Sequence, residues 1–266
     1  MSFNKGFENG IVILGAGNVA THMSLALRKA GHNIKCIYSK TIHAAKTLAI
    51  QVDAHYTNEI NQIPVEADLY IIAVKDEIIE IIVQNLKLKY GIIVHTAGSI
   101  SMSVFKDRYQ NYGVFYPLQT FSKLREVQFN NVPICVEANN KILENKLFDL
   151  ASSLSNHVYK VDSEKRKSLH LAAVFASNFS NHMYSVARDI LKQTDISFDL
   201  LKPLIKETAQ KAIDQDPMQA QTGPAVRNDD KVIRKHIEML KDNPEYQNIY
   251  KFVSDNIYYI RNKKDN

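Results

Sequence analysis

A continuous apolar tetrapeptide, Ile11-Val12-Ile13-Leu14, runs directly into Gly15-Ala16-Gly17-Asn18-Val19-Ala20, and few folds accommodate that junction. A strand with no polar residue on either face belongs inside a parallel sheet covered by helices on both sides. Val19 to Lys29 then reads as a helix, with Val19, Met23, Ala26, Leu27 and Ala30 on one face, and Gly31 stops it. The small residues of the turn have separate tasks. Gly15 lets the chain leave the strand sharply, Gly17 lets backbone approach a pyrophosphate, and Ala20 permits close packing of helix on strand. The helix N-terminus beyond offers free N–H groups and a positive dipole end. Strand, G-x-G-x-x-A turn and helix in this order read as a dinucleotide site lined by Gly15, Ala16, Gly17, Asn18 and Val19.

The second strand, Ile34 to Tyr38, narrows the ligand. An NAD site usually has Asp or Glu about 20 residues beyond the glycines, on the ribose hydroxyls. Here the strand runs into Ser39-Lys40-Thr41, so no carboxylate repels a 2′-phosphate, and Ser39 and Lys40 supply a hydroxyl and a cation. NADP(H) is the expected cofactor. An S-adenosylmethionine site would also want the missing carboxylate, which weakens a methyltransferase reading.

Apolar strands continue to alternate with helices: His43–Ile50 helical, Leu69–Val74 extended, Ile78–Leu86 helical, Ile92–Val94 and Val114–Tyr116 extended. Pro133–Val136, Lys141–Leu154 and His157–Val161 extend the pattern as strand, helix and strand. The expected fold class is therefore α/β, a Rossmann-like, doubly wound parallel sheet, followed by an all-α C-terminal domain. Strand signal stops at Asp162. The expected domains are 1–162, binding NADP(H), and 163–266, helical, for substrate and dimerisation. Within the latter, Leu169–Leu191 reads as one long helix, followed by Asp199–Asp214, Asp229–Lys241 and Tyr246–Ile260.

The chain carries 33 Lys+Arg against 28 Asp+Glu, a formal charge of +5. Apart from Lys165-Arg166-Lys167 and Lys263-Lys264 the basic residues are dispersed, which suits an anionic small molecule and not a nucleic acid. Two cysteines, Cys36 and Cys135, lie in strand-like runs with no Cys/His cluster, so no metal site is expected and both read as buried thiols. Without a signal-peptide pattern or a membrane-length apolar run, the expected location is the cytoplasm, with no membrane partner.

Ligands of open α/β sheets lie beyond the carboxyl ends of the strands. Ala73-Val74-Lys75-Asp76, His95-Thr96-Ala97-Gly98-Ser99 and Tyr116-Pro117-Leu118-Gln119-Thr120 follow such ends, and Ala73, Val74, Thr96, Ala97 and Gly98 are candidates for the cofactor. On the long helix His170, Ser177, Asn178 and Asn181 fall at i, i+7, i+8 and i+11, within roughly 100° of one another. A polar stripe on an otherwise apolar helix must face water, a partner or a ligand. Gln221-Thr222-Gly223-Pro224 makes a rigid turn, and Arg227 just beyond it has a fork that matches a carboxylate.

These segments together resemble the bacterial family assigned as NADP oxidoreductases, built from a Rossmann-like domain and a helical domain of unknown function. The resemblance rests on Val12–Ala20, His95–Gly98, Tyr116–Phe121, His170-Leu171-Ala172-Ala173 with Ser177-Asn178, and Thr222–Ala225 with Arg227. More distantly the chain is similar to pyrroline-5-carboxylate reductase, F420-dependent NADP reductase and the 6-phosphogluconate dehydrogenase superfamily. The resemblance implies hydride transfer with NADP(H), a small-molecule substrate bound between the domains, and a homodimer formed through the helical domain. Two positions depart from these relatives. The β-hydroxyacid dehydrogenase branch has a lysine four residues before the helix Asn, where this chain has Val174. Relatives often have His before the Pro-Leu pair, where this chain has Tyr116. The expected catalytic set is Tyr116, His170, Asn178 and Arg227, acting on a small anionic carbonyl or imine. The alternative expectation is an NADP(H) sensor without chemistry.

Overall fold

The computed structural model describes residues 7–263; the N-terminal residues and Lys264 of the basic tail lie outside it. Strand β1 (Ile11–Leu14) is fully buried. Its side chains alternate between two cores, Ile11 and Ile13 on one face and Val12 and Leu14 on the other. The first core is filled from helices α1 (Asn18–Lys29), α2 (Ile42–Val52) and α4 (Lys141–Ser152), the second from α3 (Asp76–Asn85). Each such side chain contributes about 1.5–3 kcal/mol by leaving water. An apolar run without alternation is therefore the sequence of a strand roofed on both sides.

The sheet has eight strands in the order β3-β2-β1-β4-β5-β6-β7-β8. They are β1, β2 (Ile34–Tyr38), β3 (His55–Thr57), β4 (Glu66–Ile72), β5 (Tyr90–His95), β6 (Tyr112–Pro117), β7 (Ile134–Ala138) and β8 (Val158–Lys160). The sheet is parallel as expected except at one step: β6 and β7 are antiparallel, with Pro117 opposite Ile134 and Gly113 opposite Ala138. Only a single 3-10 turn, Phe129–Asn131, and no α-helix lies between these two strands, so the chain turns back at the same edge. The three-residue edge strand β3 was not expected; only Thr57 of it is buried, so it has no apolar run.

The chain forms two compact units, Met1–Ser177 and Asn178–Asn266, divided well beyond the residue where strand signal ends. Helix α5 (Ser163–Ala173) belongs to the first because its opening turn is bonded to β7. Ser163 N and Oγ both donate to Glu137, at 3.0 and 2.8 Å, and Arg166 is ion-paired with the same carboxylate. Lys165-Arg166-Lys167 is thus not a surface patch, since Arg166 is 0% exposed.

Val174–Phe179 forms a π-helical segment between α5 and α6 (Ser180–Lys192). Its wider turn advances each residue by less than the ~100° of an α-helix. The angular spread expected for His170, Ser177, Asn178 and Asn181 assumed an α-helix and does not apply across it. The second unit continues with α7 (Lys202–Asp214), α8 (Pro217–Ala220), α9 (Asp230–Met239) and α10 (Pro244–Asn262). Among its described residues only Ala225 and Ser254 are buried, while Leu204, Ile213, Met239 and Phe252 are each at least 60% exposed. No helix among the described residues is long and apolar enough to cross a membrane.

Candidate active site

Because β1, β2, β4, β5 and β6 are mutually parallel, their carboxyl ends share one edge of the sheet. Gly15 begins that edge with φ +130°, and a Cβ there would lie 2.2 Å from the Ala73 carbonyl oxygen. Only glycine lets β1 turn this close to the end of β4. Gly17 differs: a Cβ added to it meets nothing within 4 Å. It borders the open space a pyrophosphate needs. Gly17 is also the N-cap of α1, with no side-chain cap and no acid in the first turn. The first intrahelical bond is Thr21 N to the Gly17 carbonyl, at 2.9 Å, which leaves the N–H groups of Asn18, Val19 and Ala20 for an anion. These features fit a dinucleotide.

Ser39 and Lys40 lie beside this turn, since Gly15 N donates to the Tyr38 carbonyl at 2.7 Å. Lys40 is exposed. The two residues precede α2, whose N-terminus also lacks a side-chain cap and an acidic first turn. Ala73 and Val74 follow β4, and Thr96, Ala97 and Gly98 follow β5 and are buried. Ser99 Oγ makes a short hydrogen bond to the Asp76 carboxylate, joining these two loops.

His95 is not in the loop as expected. It ends β5 and is fully buried, its Nδ1 accepting from Ala97 N at 3.2 Å. Burial first, and then the positive charge of Arg166, push its pKa down to about 3, so the ring is neutral. Tyr116 likewise lies within β6 and is 8% exposed. Its hydroxyl is 3.0 Å from Nδ1 of His170 on α5. Burial first, then the neighbouring Cys135 and Asp76, raise the phenol to about 12, against a smaller lowering by Arg166. The hydroxyl therefore keeps its proton at neutral pH and can donate it. Gly98 completes the pair's surroundings: a Cβ there would lie 2.5–2.8 Å from atoms of the His170 side chain.

Tyr116, His170, the glycine turn and the loops after β4 and β5 thus belong to the first unit, while Asn178 and Arg227 belong to the second and both are exposed. Sequence reasoning took Asp76 only as part of the segment after β4, with no partner, and missed Arg166. Asp76 opens a helix, where an acid is ordinary, and Arg166 sits between two lysines that are solvated.

Residues 10–98 match the family described as NADP oxidoreductase, coenzyme F420-dependent, and residues 132–257 match a domain of unknown function, DUF2520. No curated protein matches the chain. A solved Bacteroides fragilis protein assigned as an NADP oxidoreductase is 47% identical, with 94% of this chain and 97% of that one covered and a TM-score of 0.88. A pyrroline-5-carboxylate reductase from Coxiella burnetii is similar in fold, at 13% identity, 96% and 98% coverage and TM-score 0.57. So is an imine reductase from Myxococcus stipitatus in complex with NADP+, at 13% identity, 96% and 93% coverage and TM-score 0.62. Extended identity to the first, together with both family matches, shows that this chain belongs to the NADP-dependent oxidoreductases that join a Rossmann-like domain to a helical DUF2520 region.

Proposed function

We propose that the chain catalyses hydride transfer between NADP(H) and a small anionic carbonyl or imine compound, with Tyr116 as the proton donor. The observation that carries this reading is the hydrogen-bonded Tyr116–His170 pair at the ligand edge of the sheet. Bound NADPH supplies the hydride. The glycine turn holds the pyrophosphate, and Ser39 and Lys40 hold the 2′-phosphate. Ala73, Val74, Thr96, Ala97 and Gly98 flank the remainder of the cofactor. Tyr116 gives its proton to the substrate oxygen or nitrogen, and His170 orients the phenol and returns a proton to it. Asn178 hydrogen-bonds the substrate, and Arg227 binds its carboxylate. Reduction of imines by the Myxococcus neighbour supports the substrate class by analogy of fold.

The test is loss of NADPH absorbance with a panel of keto acids, cyclic and acyclic imines and oxidised F420. Turnover of one class and its loss in His170→Ala and Asn178→Ala support the reading. Tight NADPH binding with no turnover on any member favours the sensor, an option that Val174 in place of a lysine keeps open. Gly98→Ala pushes the His170 ring away from Tyr116, and a displacement of this size is expected to lower kcat about 100-fold. Wild-type kcat in that variant would separate the pair from the chemistry.

Lys40→Asp is expected to shift the NADPH-to-NADH affinity ratio about 10- to 100-fold toward NADH, because a charge-assisted contact becomes a repulsion. Calorimetric titration of both cofactors reads the ratio, and an unchanged ratio rules Lys40 out as the 2′-phosphate reader. We further propose a homodimer through the helical unit, supported by how little of that unit's apolar surface is buried within one chain. A cytoplasmic location is supported by two buried, unpaired cysteines, with burial raising the Cys36 thiol to about 11.

A further inference from the structure

Residues 118–133 leave the sheet after Pro117 and rejoin it at Ile134, and on the way they cross the first turn of α1 as a strap. Asn18 Nδ2 donates to the Phe121 carbonyl at 2.9 Å, His22 Nε2 lies 2.9 Å from the Ser122 carbonyl, and Lys123 Nζ donates to the Ala16 carbonyl at 2.8 Å. The Phe121 ring stacks on His22, centroids 5.3 Å apart, and on the buried Phe129, 5.9 Å apart. Ring packing thus holds the strap in place independently of Lys123.

Lys123 uses one of its three donors on a neutral carbonyl. Among the described residues no carboxylate forms an ion pair with it. The side chain is exposed, and besides the glycine turn it borders a groove that is lined along α1 by Thr21 to Ala30 and not by the turn itself. Its ammonium is held at Ala16, next to the uncapped N-terminus of α1. A cation is electrostatically misplaced at the positive end of a helix unless an anion sits with it. The helix end, the open face of Gly17 and the ammonium all favour one occupant, a phosphate group.

We propose that Lys123 is a further cofactor-binding residue, which reaches from the strap over the glycine turn to neutralise the pyrophosphate of NADP(H). This rests on the glycine turn being the dinucleotide site. It gives Lys123 a task unlike that of Lys40, because NADPH and NADH share the pyrophosphate and differ in the 2′-phosphate.

The full-length Lys123→Met protein is titrated with NADPH and with NADH by calorimetry. Both dissociation constants are expected to rise by the same factor, roughly 5- to 50-fold, with a weaker dependence on salt. Lys123→Arg retains most of the affinity. Unchanged constants overturn the proposal, and so does a loss confined to NADPH. The apo Lys123→Met protein is expected to melt no lower than wild type; a fall of several degrees would make Lys123 a structural residue and overturn it too. Gly17→Val separates this inference from the one beneath it. If that variant binds NADPH like wild type, the glycine-turn reading fails. If it loses binding while Lys123→Met does not, the Lys123 proposal alone fails.

Discussion

Arg166→Met is expected to cost the first unit about 3–5 kcal/mol, because it strands a carboxylate inside the protein. Arg166 is 0% and Glu137 8% exposed, and the guanidinium bonds both that carboxylate and the Ile100 carbonyl. Its second terminal nitrogen also donates to Ser163 Oγ at 3.2 Å, and Ser163 Oγ in turn accepts from Met102 N at 3.2 Å. One side chain thus ties together β7, the start of α5 and the segment that follows the Gly98 loop. Removing it leaves Glu137 with Ser163 as its remaining hydrogen-bond donor. Urea unfolding measures the loss. Adding Glu137→Met should recover most of it, since an apolar pair of similar volume avoids burying charge. A loss below about 1 kcal/mol in the single variant would show that the network does not hold α5 to the sheet. Arg166 lies one helical turn before His170, on the same face, so the same variant should also weaken the His170–Tyr116 contact.

Tyr116→Phe is expected to lower kcat by about 10²- to 10⁴-fold, the usual contribution of a positioned proton donor, with NADPH affinity unchanged. Phenylalanine keeps the ring packing and removes only the hydroxyl that faces His170 Nδ1. Because the phenol is raised to about 12, the donor form is the protonated one throughout the neutral and mildly alkaline range. The kcat profile of the wild type should therefore show no alkaline fall from Tyr116 in that range. Single-turnover oxidation of bound NADPH checks both statements. A kcat within tenfold of wild type would remove Tyr116 from the chemistry.

Much of the first unit was legible because its strands advertise themselves. Ile34–Tyr38 has the same limits in the structure as in the sequence reading, and β1 could hardly be anything else. What was hidden depends on pairing at a distance. The antiparallel turn-back between β6 and β7 leaves no mark in either strand, since both are apolar runs whichever way they run. Arg166 looked solvated because Lys165 and Lys167 are, and only the position of Glu137, 29 residues earlier, shows otherwise. The π-helical segment has no periodicity of its own to betray it in Val174–Phe179. Lys123 carried no signal, because a lysine in a long connection is usually just solvated.

The antiparallel step also bears on how such a protein can change over evolutionary time. A crossover to a parallel strand must carry the chain back across the sheet, so its length and its helix are dictated by the layer it covers. The connection from Pro117 to Ile134 begins and ends at the ligand edge and owes nothing to the opposite one. Lengthening such a loop is cheap, about 0.6 kcal/mol for each doubling. Insertions there leave the sheet untouched while altering what lies over the glycine turn. Away from Phe129 and Val132, which are buried in the core, the connection is a place where new ligand preferences can be acquired at little risk to the sheet.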